Sequence, residues 1–243
     1  MVTYSKVFGP TDSVAGTKTT VGAAASLRPE PCYIYRIRVG KGNVVNAKEN
    51  AGIIEIEAPG LDGTHKYAYG NGSGGATNNG QNQPAEKIDC GIPIAPNVLV
   101  TVSVKDAEAA KDVTVSLEFR TGSGRNIRSY AVGGAAVDST ADAALTVGTM
   151  TMELGGTIKQ IRFAGSGIVD AKAASGKLML EVPGLKGPFE YAVGNGPGGA
   201  SLGGAADADV FDVEIPVGPN VGVIAYLTSA EVVLSATVSI QVA

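Results

Sequence analysis

Tryptophan is absent from this chain of 243 residues, histidine occurs once (His65), and cysteine occurs twice (Cys32 and Cys90). Two thiols and one imidazole do not furnish the four ligands of an ordinary zinc site. No stretch approaches the roughly 18 consecutive apolar residues of a membrane-spanning helix, so no membrane span is expected. The 19 basic and 23 acidic residues give a net charge of −4 and form no long runs. A nucleic-acid partner would call for a clustered basic stripe, and none is written here. The first twenty residues lack the basic start and apolar run of a signal peptide. The expectation is a protein that works where it is made, or that leaves by lysis or after loss of a leader. No serine sits in a Gly-x-Ser-x-Gly elbow, and no acid or nucleophile is spaced to work with His65. Neither catalytic, cofactor-binding nor metal-ligating residues are assigned, and no enzyme activity is expected.

Glycine is abundant instead, at 34 of 243 residues, and much of it belongs to an internal repeat. Residues 58–76 read APGLDGTHKYAYGNGSGGA, and residues 182–200 read VPGLKGPFEYAVGNGPGGA. Twelve of the nineteen paired positions are identical, including Pro59/Pro183, Tyr67/Tyr191 and Asn71/Asn195. The chain is a tandem duplication. Matching continues outward: IDCGIPIAPNV at 88–98 answers FDVEIPVGPNV at 211–221, and VTVSLEF at 113–119 answers ATVSIQV at 236–242. The offset slips from 124 to 123 inside the glycine-rich run, where a deletion is tolerated.

Period-two alternation marks strands throughout. In 98–104 the valines 98, 100, 102 and 104 alternate with Leu99, Thr101 and Ser103; in 112–119 Val113, Val115, Leu117 and Phe119 point inward. In 32–39 the expectation puts Tyr33, Tyr35, Ile37 and Val39 on one face and Ile34, Arg36 and Arg38 on the other. Further strands are expected at 53–57, 65–69 and 86–94, with single helical turns at 107–111 and 170–174. Seven or eight short strands per half, with turns every eight to twelve residues, give an all-β fold of two tandem antiparallel β-sandwiches, of jelly-roll type. The expected organisation is an N-terminal arm at 1–16, a first sandwich at 17–122 and a second at 123–243.

Several features carry a functional and a structural reading at once. Gly-Asn-Gly-Ser-Gly-Gly at 70–75 is glycine-rich like a phosphate loop, but it leads into more loop and then strand, not into a helix N-terminus. A structural loop is the expectation. His65 aligns with Phe189, which points to packing. Asp207, Asp209 and Asp212 form an acidic cluster whose readings are a Ca²⁺ loop or a solvated face, with the solvated face preferred. Arg36, Arg38 and Arg162 read as an outward basic strip, or as cross-strand partners of Glu55, Glu57 and Glu181. Cys32 and Cys90 align with Gly156 and Val213, which suits small buried groups; a Cys32–Cys90 disulfide stays open. Tyr67 and Tyr191 occupy equivalent positions expected in the core.

With catalysis, metals, nucleotides and membranes set aside, assembly remains. In strand count, all-β plan and tandem repeat, over its whole length and at the level of architecture, the chain resembles double jelly-roll viral capsid proteins. It is similar also to the small β-sandwich decoration (cement) proteins of phage heads. The resemblance implies a non-enzymatic, self-assembling virion structural protein, shell or decorating. It also implies a homo-oligomer (trimer favoured), other shell proteins as partners, and the virion as location. The alternatives are an extracellular or cell-surface filament or adhesin subunit, with residues 2–19 donated to a neighbour's sheet, and a carbohydrate-binding β-sandwich module.

Overall fold

A computed structural model describes residues 3–42, 52–70, 85–106, 111–122, 124, 126–136, 144–166, 175–194, 208–229 and 235–243. Every regular element among them is a strand. The first half carries β1 (Thr3–Thr11), β2 (Lys18–Thr20), β3 (Ala25–Ser26), β4 (Cys32–Gly42), β5 (Gly52–Glu57), β6 (His65–Tyr69), β7 (Glu86–Ile94), β8 (Leu99–Asp106) and β9 (Lys111–Thr121). The second carries β10 (Arg128–Ala136), β11 (Leu145–Met152), β12 (Gly156–Ser166), β13 (Ser175–Glu181), β14 (Phe189–Gly194), β15 (Asp209–Val217), β16 (Val221–Ser229) and β17 (Ser235–Val242).

Pairing defines the architecture. In the first half the sheets are β1-β9-β4-β7 and β2-β8-β5-β6, with β3 also beside β8. In the second half they are β10-β17-β12-β15 and β11-β16-β13-β14. Within each half the first strand pairs with the last, the second with the penultimate, and so inward to a central hairpin, all antiparallel. Eight strands nested in this way over two sheets make a jelly roll. The chain is therefore a double jelly roll. Each sandwich closes on its own core: Ile34, Ile37, Val102, Val115 and Leu117 among others in the first, and Ile158, Phe163, Leu180, Val238 and Ile240 among others in the second.

The repeated sequence signature lies at the central hairpin. Leu61 N donates to Ala58 O at 3.2 Å, and Leu185 N to Val182 O at 3.1 Å. Gly60 and Gly184, at φ of 84° and 90°, fill the third position of a type II turn, which side chains with a Cβ disfavour. In the Pro-Asn-Val turns before β8 and β16, Asn97 and Asn220 adopt φ of 59° and 57°. Asparagine tolerates that region better than other residues bearing a Cβ.

Two expectations are corrected. Residues 3–11 are not a free arm: β1 pairs with β9 as an edge of the first sandwich, with Phe8 in the core. The strand-donation idea for this segment fails with it, because β1 completes its own sheet. Its counterpart is β10, in register with β17. At Gly9 (φ 93°) and Gly133 (φ 101°) both strands bulge, and a Cβ would strike the Val113 carbonyl in one and the Ala236 carbonyl in the other.

The second correction concerns β4. Cys32, Ile34, Ile37 and Val39 are buried, while Tyr33, Tyr35, Arg36 and Arg38 are half-buried on the other face. A β-bulge between Ile34 and Arg36 adds one residue and reverses the alternation. β12 repeats the bulge between Ile158 and Gln160. The alternation in β8 and β9 is as expected, with Val100, Val102, Val104, Val113, Val115, Leu117 and Phe119 buried. Residues 71–84, 107–110 and 170–174, which hold most of the glycine-rich loop and the expected helical turns, lie outside the described residues.

Candidate functional site

The most constrained polar region of the molecule is the seam between the two sandwiches. A strand at the edge of a sheet leaves a row of backbone donors and acceptors unpaired, and these need partners or water. β6 is such an edge, and it is covered by the outer face of the β10-β17-β12-β15 sheet. Ala68 N donates to Ser239 Oγ at 2.8 Å, and Arg162 Nε donates to Ala68 O at 3.2 Å. Side chains of the second sandwich thus stand in for the missing neighbour strand.

Arg162 also forms an ion pair with Glu86, with the two side chains only 4% and 1% exposed. Burying two charges is costly, and the cost is offset only when their remaining hydrogen-bonding capacity is filled. Here it is. Glu86 accepts from Gly70 N at 2.8 Å and from Ala208 N at 3.3 Å, beside the Arg162 guanidinium. Two more bonds cross the seam at β7: Gln241 Nε2 to Asp89 O at 3.0 Å, and Ile127 N to Gly91 O at 2.9 Å.

Polar groups lacking such partners cluster at the same place. His65 is 1% exposed, and neither ring nitrogen makes a hydrogen bond of good geometry among the described residues, the Ile127 backbone being the polar group beside it. Burial pushes its pKa down to about 4, against the opposite pull of the Ile127 backbone and Asp62. The ring lines a cleft of about 260 Å³ between Asp62–Lys66 on one side and Arg128, Ser129, Tyr130, Thr151 and Glu153 on the other. The Tyr67 hydroxyl and Ser129 Oγ are likewise buried; they face each other, and neither makes a hydrogen bond of good geometry among the described residues. Burial raises the Tyr67 pKa well above the ordinary tyrosine value.

The residues singled out from sequence distribute as follows. Arg36, Arg38 and Arg162 do not form one strip. The first two lie on β4 and the third at the equivalent place on β12, in a different sheet, because the two halves repeat. Arg36 pairs with Asp89 at 2.7 Å, and Arg38 pairs with Glu118. Glu55 and Glu57 pair with Lys18, each at 2.7 Å, and Glu181 accepts from the Tyr226 hydroxyl at 3.2 Å. The expected Arg–Glu cross-strand pairs with Glu55, Glu57 and Glu181 are therefore replaced by these. Asp212 is exposed and accepts from Gln160 at 3.2 Å; Asp209 is half-buried at the start of β15, and Asp207 lies outside the described residues.

Cys32 and Cys90 are free thiols. Burial raises the pKa of both, and the Cys90 thiol faces Ile34 O at 3.5 Å. Tyr67 is fully buried, whereas Tyr191 is half-buried and packs against Phe211 with ring centroids 5.1 Å apart. Sequence reasoning missed Glu86, Ser239 and Gln241, which read as ordinary strand residues; only pairing across the seam distinguishes them.

No family model matches the chain, and no curated protein matches it in sequence. Among solved structures it is similar to one described as the crystal structure of the STIV MCP, a viral major capsid protein. The identity is 12%, the coverage 100% of this chain and 96% of that one, and the TM-score 0.43. It is also similar to the mosquito-larvicidal Cry4Aa toxin from Bacillus thuringiensis, at 7% identity, 90% and 54% coverage, and a TM-score of 0.33. Both likenesses are too loose to carry the architecture, which rests on the strand pairing itself.

Proposed function

We propose that this protein is a non-enzymatic virion structural subunit, a shell or shell-decorating protein, that assembles with copies of itself into closed oligomers, a trimer favoured, and with other shell proteins. One observation carries the reading. Each sandwich owns a side like the one β6 and β7 present and a face like the one β12 and β17 present, yet the seam uses only one of each. Among the described residues nothing covers the matching pair: β14 and β15 on the second sandwich, and the outer face of β1-β9-β4-β7 on the first. A contact between unlike surfaces repeats from copy to copy. It gives rings where the rotation closes and filaments where it does not.

The described side chains offer little for catalysis. Burial holds His65 neutral at ordinary pH, and burial shifts both thiols away from reactivity. Light scattering over a range of concentrations, followed by negative-stain imaging, tests the reading. Discrete rings or closed particles are expected. A mass fixed at 24.4 kDa at every concentration overturns it, and open fibres move the assignment to a filament subunit.

A further inference from the structure

The cleft beside His65 is where the duplication departs from itself. Residues 58–76 and 182–200 differ at seven of nineteen positions. Four of the seven, Asp62, Thr64, His65 and Lys66, line the cleft, and their counterparts are Lys186, Pro188, Phe189 and Glu190. The Pro-Gly-Leu turn just before them is unchanged. Divergence therefore falls on the wall of the cleft and spares the turn that positions it. Burial does not explain its direction. His65 is 1% exposed whereas Phe189 is half-buried, so the imidazole holds the sealed position and the phenyl ring the more open one. Packing alone favours the reverse, because an apolar ring gains from burial and an imidazole loses its water.

The chemistry of the walls narrows what the cleft would take. Two carboxylates line it, Asp62 from the turn before β6 and Glu153 from just beyond β11. Both residues are exposed, and neither carboxylate has a hydrogen bond or ion pair among the described residues. The two cations beside them are engaged. Lys66 pairs with Glu55 at 3.5 Å, and Arg128 donates to Leu154 O at 3.3 Å and to Gly155 O at 2.9 Å. Only the Ile127 backbone stands beside the His65 ring, which leaves at least one of its two nitrogens for a ligand. The cleft thus offers acceptors while its positive charge is committed, so an anion fits poorly. A metal ion fits no better, because among the described residues no three His, Cys, Asp or Glu side chains gather closely enough to ligate one. An organic cation would meet Lys66 on one wall and Arg128 on the other. A neutral molecule rich in hydroxyl donors meets none of these objections. The volume of about 260 Å³ lies below the ~300–1,000 Å³ of drug-sized sites, which leaves room for a single ring. Tyr130, packed in part against the second core, adds an aromatic ring to the wall.

We infer that this cleft is a binding site for one neutral sugar ring, whose hydroxyls donate to Asp62, Glu153 and the imidazole of His65 while its apolar face lies toward Tyr130. His65 sits at the closed end and the two carboxylates at the rim, so the ring enters edge first from solvent. The second sandwich lacks the site, because Phe189, Pro188 and Lys186 replace the groups that would hold the sugar. This inference stands on the cleft alone and does not depend on the assembly reading above.

Saturation-transfer NMR on the full chain tests it, since the method reads weak ligands on single chains and on assemblies alike. Glucose, galactose, mannose and N-acetylglucosamine are titrated separately, with N-acetylneuraminic acid as the charged comparison. At least one of the four neutral sugars is expected to give a saturable signal, with a Kd of about 1 mM or tighter. Asp62→Asn and Glu153→Gln should each weaken that binding about tenfold, since each exchanges a charge-assisted hydrogen bond for a neutral one. His65→Phe, which copies the second half and fills the closed end, should abolish it. Glu190→Gln, on the second sandwich, should bind as the unaltered chain does. Thermal melts check folding, and the two rim variants decide the matter if His65→Phe melts early. No saturable signal from any of the four neutral sugars overturns the inference and leaves a cleft filled by water. N-acetylneuraminic acid as the tightest ligand overturns it too, as does equal binding by the unaltered chain and all three cleft variants.

Discussion

β6 and β14 begin as the same hairpin strand, HKYAY in one half and FEYAV in the other, each following a type II Pro-Gly turn. Their surroundings then diverge. In β6, four of the five residues are buried, and the edge is capped by Ser239 and Arg162. In β14, Glu190 and Ala192 are exposed. The arginines repeat the contrast: the Arg162 side chain is 4% exposed and Arg38 34%. Local structure is set within each sandwich, but the energetic weight of a residue is set by what covers it. A duplicated chain supplies its own control, because each position exists once sealed and once open.

The largest break in that comparison is expected from Arg162→Ala. It leaves the buried Glu86 carboxylate without its cation, and costs about 3–5 kcal/mol of unfolding free energy. Arg38→Ala removes a partly solvated pair and costs about 1 kcal/mol or less. Chemical denaturation of both variants under monomeric conditions measures the gap. Equal losses would mean that the seam adds nothing to the Arg162 pair.

Acid should divide the halves next, because Phe189 stands where His65 does. The folded pKa of His65, about 4, lies below its ordinary value of 6.5. The unfolded chain therefore takes up the proton first. Stability falls as pH drops from about 6.5 to about 4 and levels off below. Some 2.5 units at 1.36 kcal/mol per unit make the loss from this residue on the order of 3 kcal/mol. His65→Phe, which copies the second half, should flatten that slope in melts run from pH 7 to pH 4. An unchanged slope would show that the seam already admits the proton.

Gly9→Ala and Gly133→Ala should sharpen the comparison from the other side. Both residues sit in a bulge internal to their own sandwich, at positive φ and against a backbone carbonyl. Each substitution is expected to cost about 1–3 kcal/mol, and the two losses should be similar, because neither bulge depends on the seam. A large inequality would mean that β10, which lies against the first sandwich, is held by that contact as well.

Arg38 and Arg162 also mark where sequence reading stops. The duplication pairs them, and alternation places both on strands. Nothing local tells that one is sealed, because Glu86 lies 76 positions from Arg162 and Ser239 lies 171 from Ala68. β1 was obscured for a related reason. It shares with its counterpart little beyond Ser5/Ser129 and Gly9/Gly133, and its polar residues read as an arm. Only pairing with β9 shows that its single buried apolar residue, Phe8, closes the sheet. The face assignment in β4 failed at one residue, since a bulge is a property of two strands in register and leaves little mark on one of them.

By itself the sequence determined the all-β class, the duplication, the turn at Pro59-Gly60, and the inward faces of β8 and β9. These depend on backbone preference and on a period of two, both carried by neighbouring residues. Tertiary structure alone decided the nested pairing of the jelly rolls, the phase of the bulged strands, and which member of each repeated pair is buried. Those outcomes depend on groups far apart in the chain, brought to one place where unpaired edges and charges must find partners away from water.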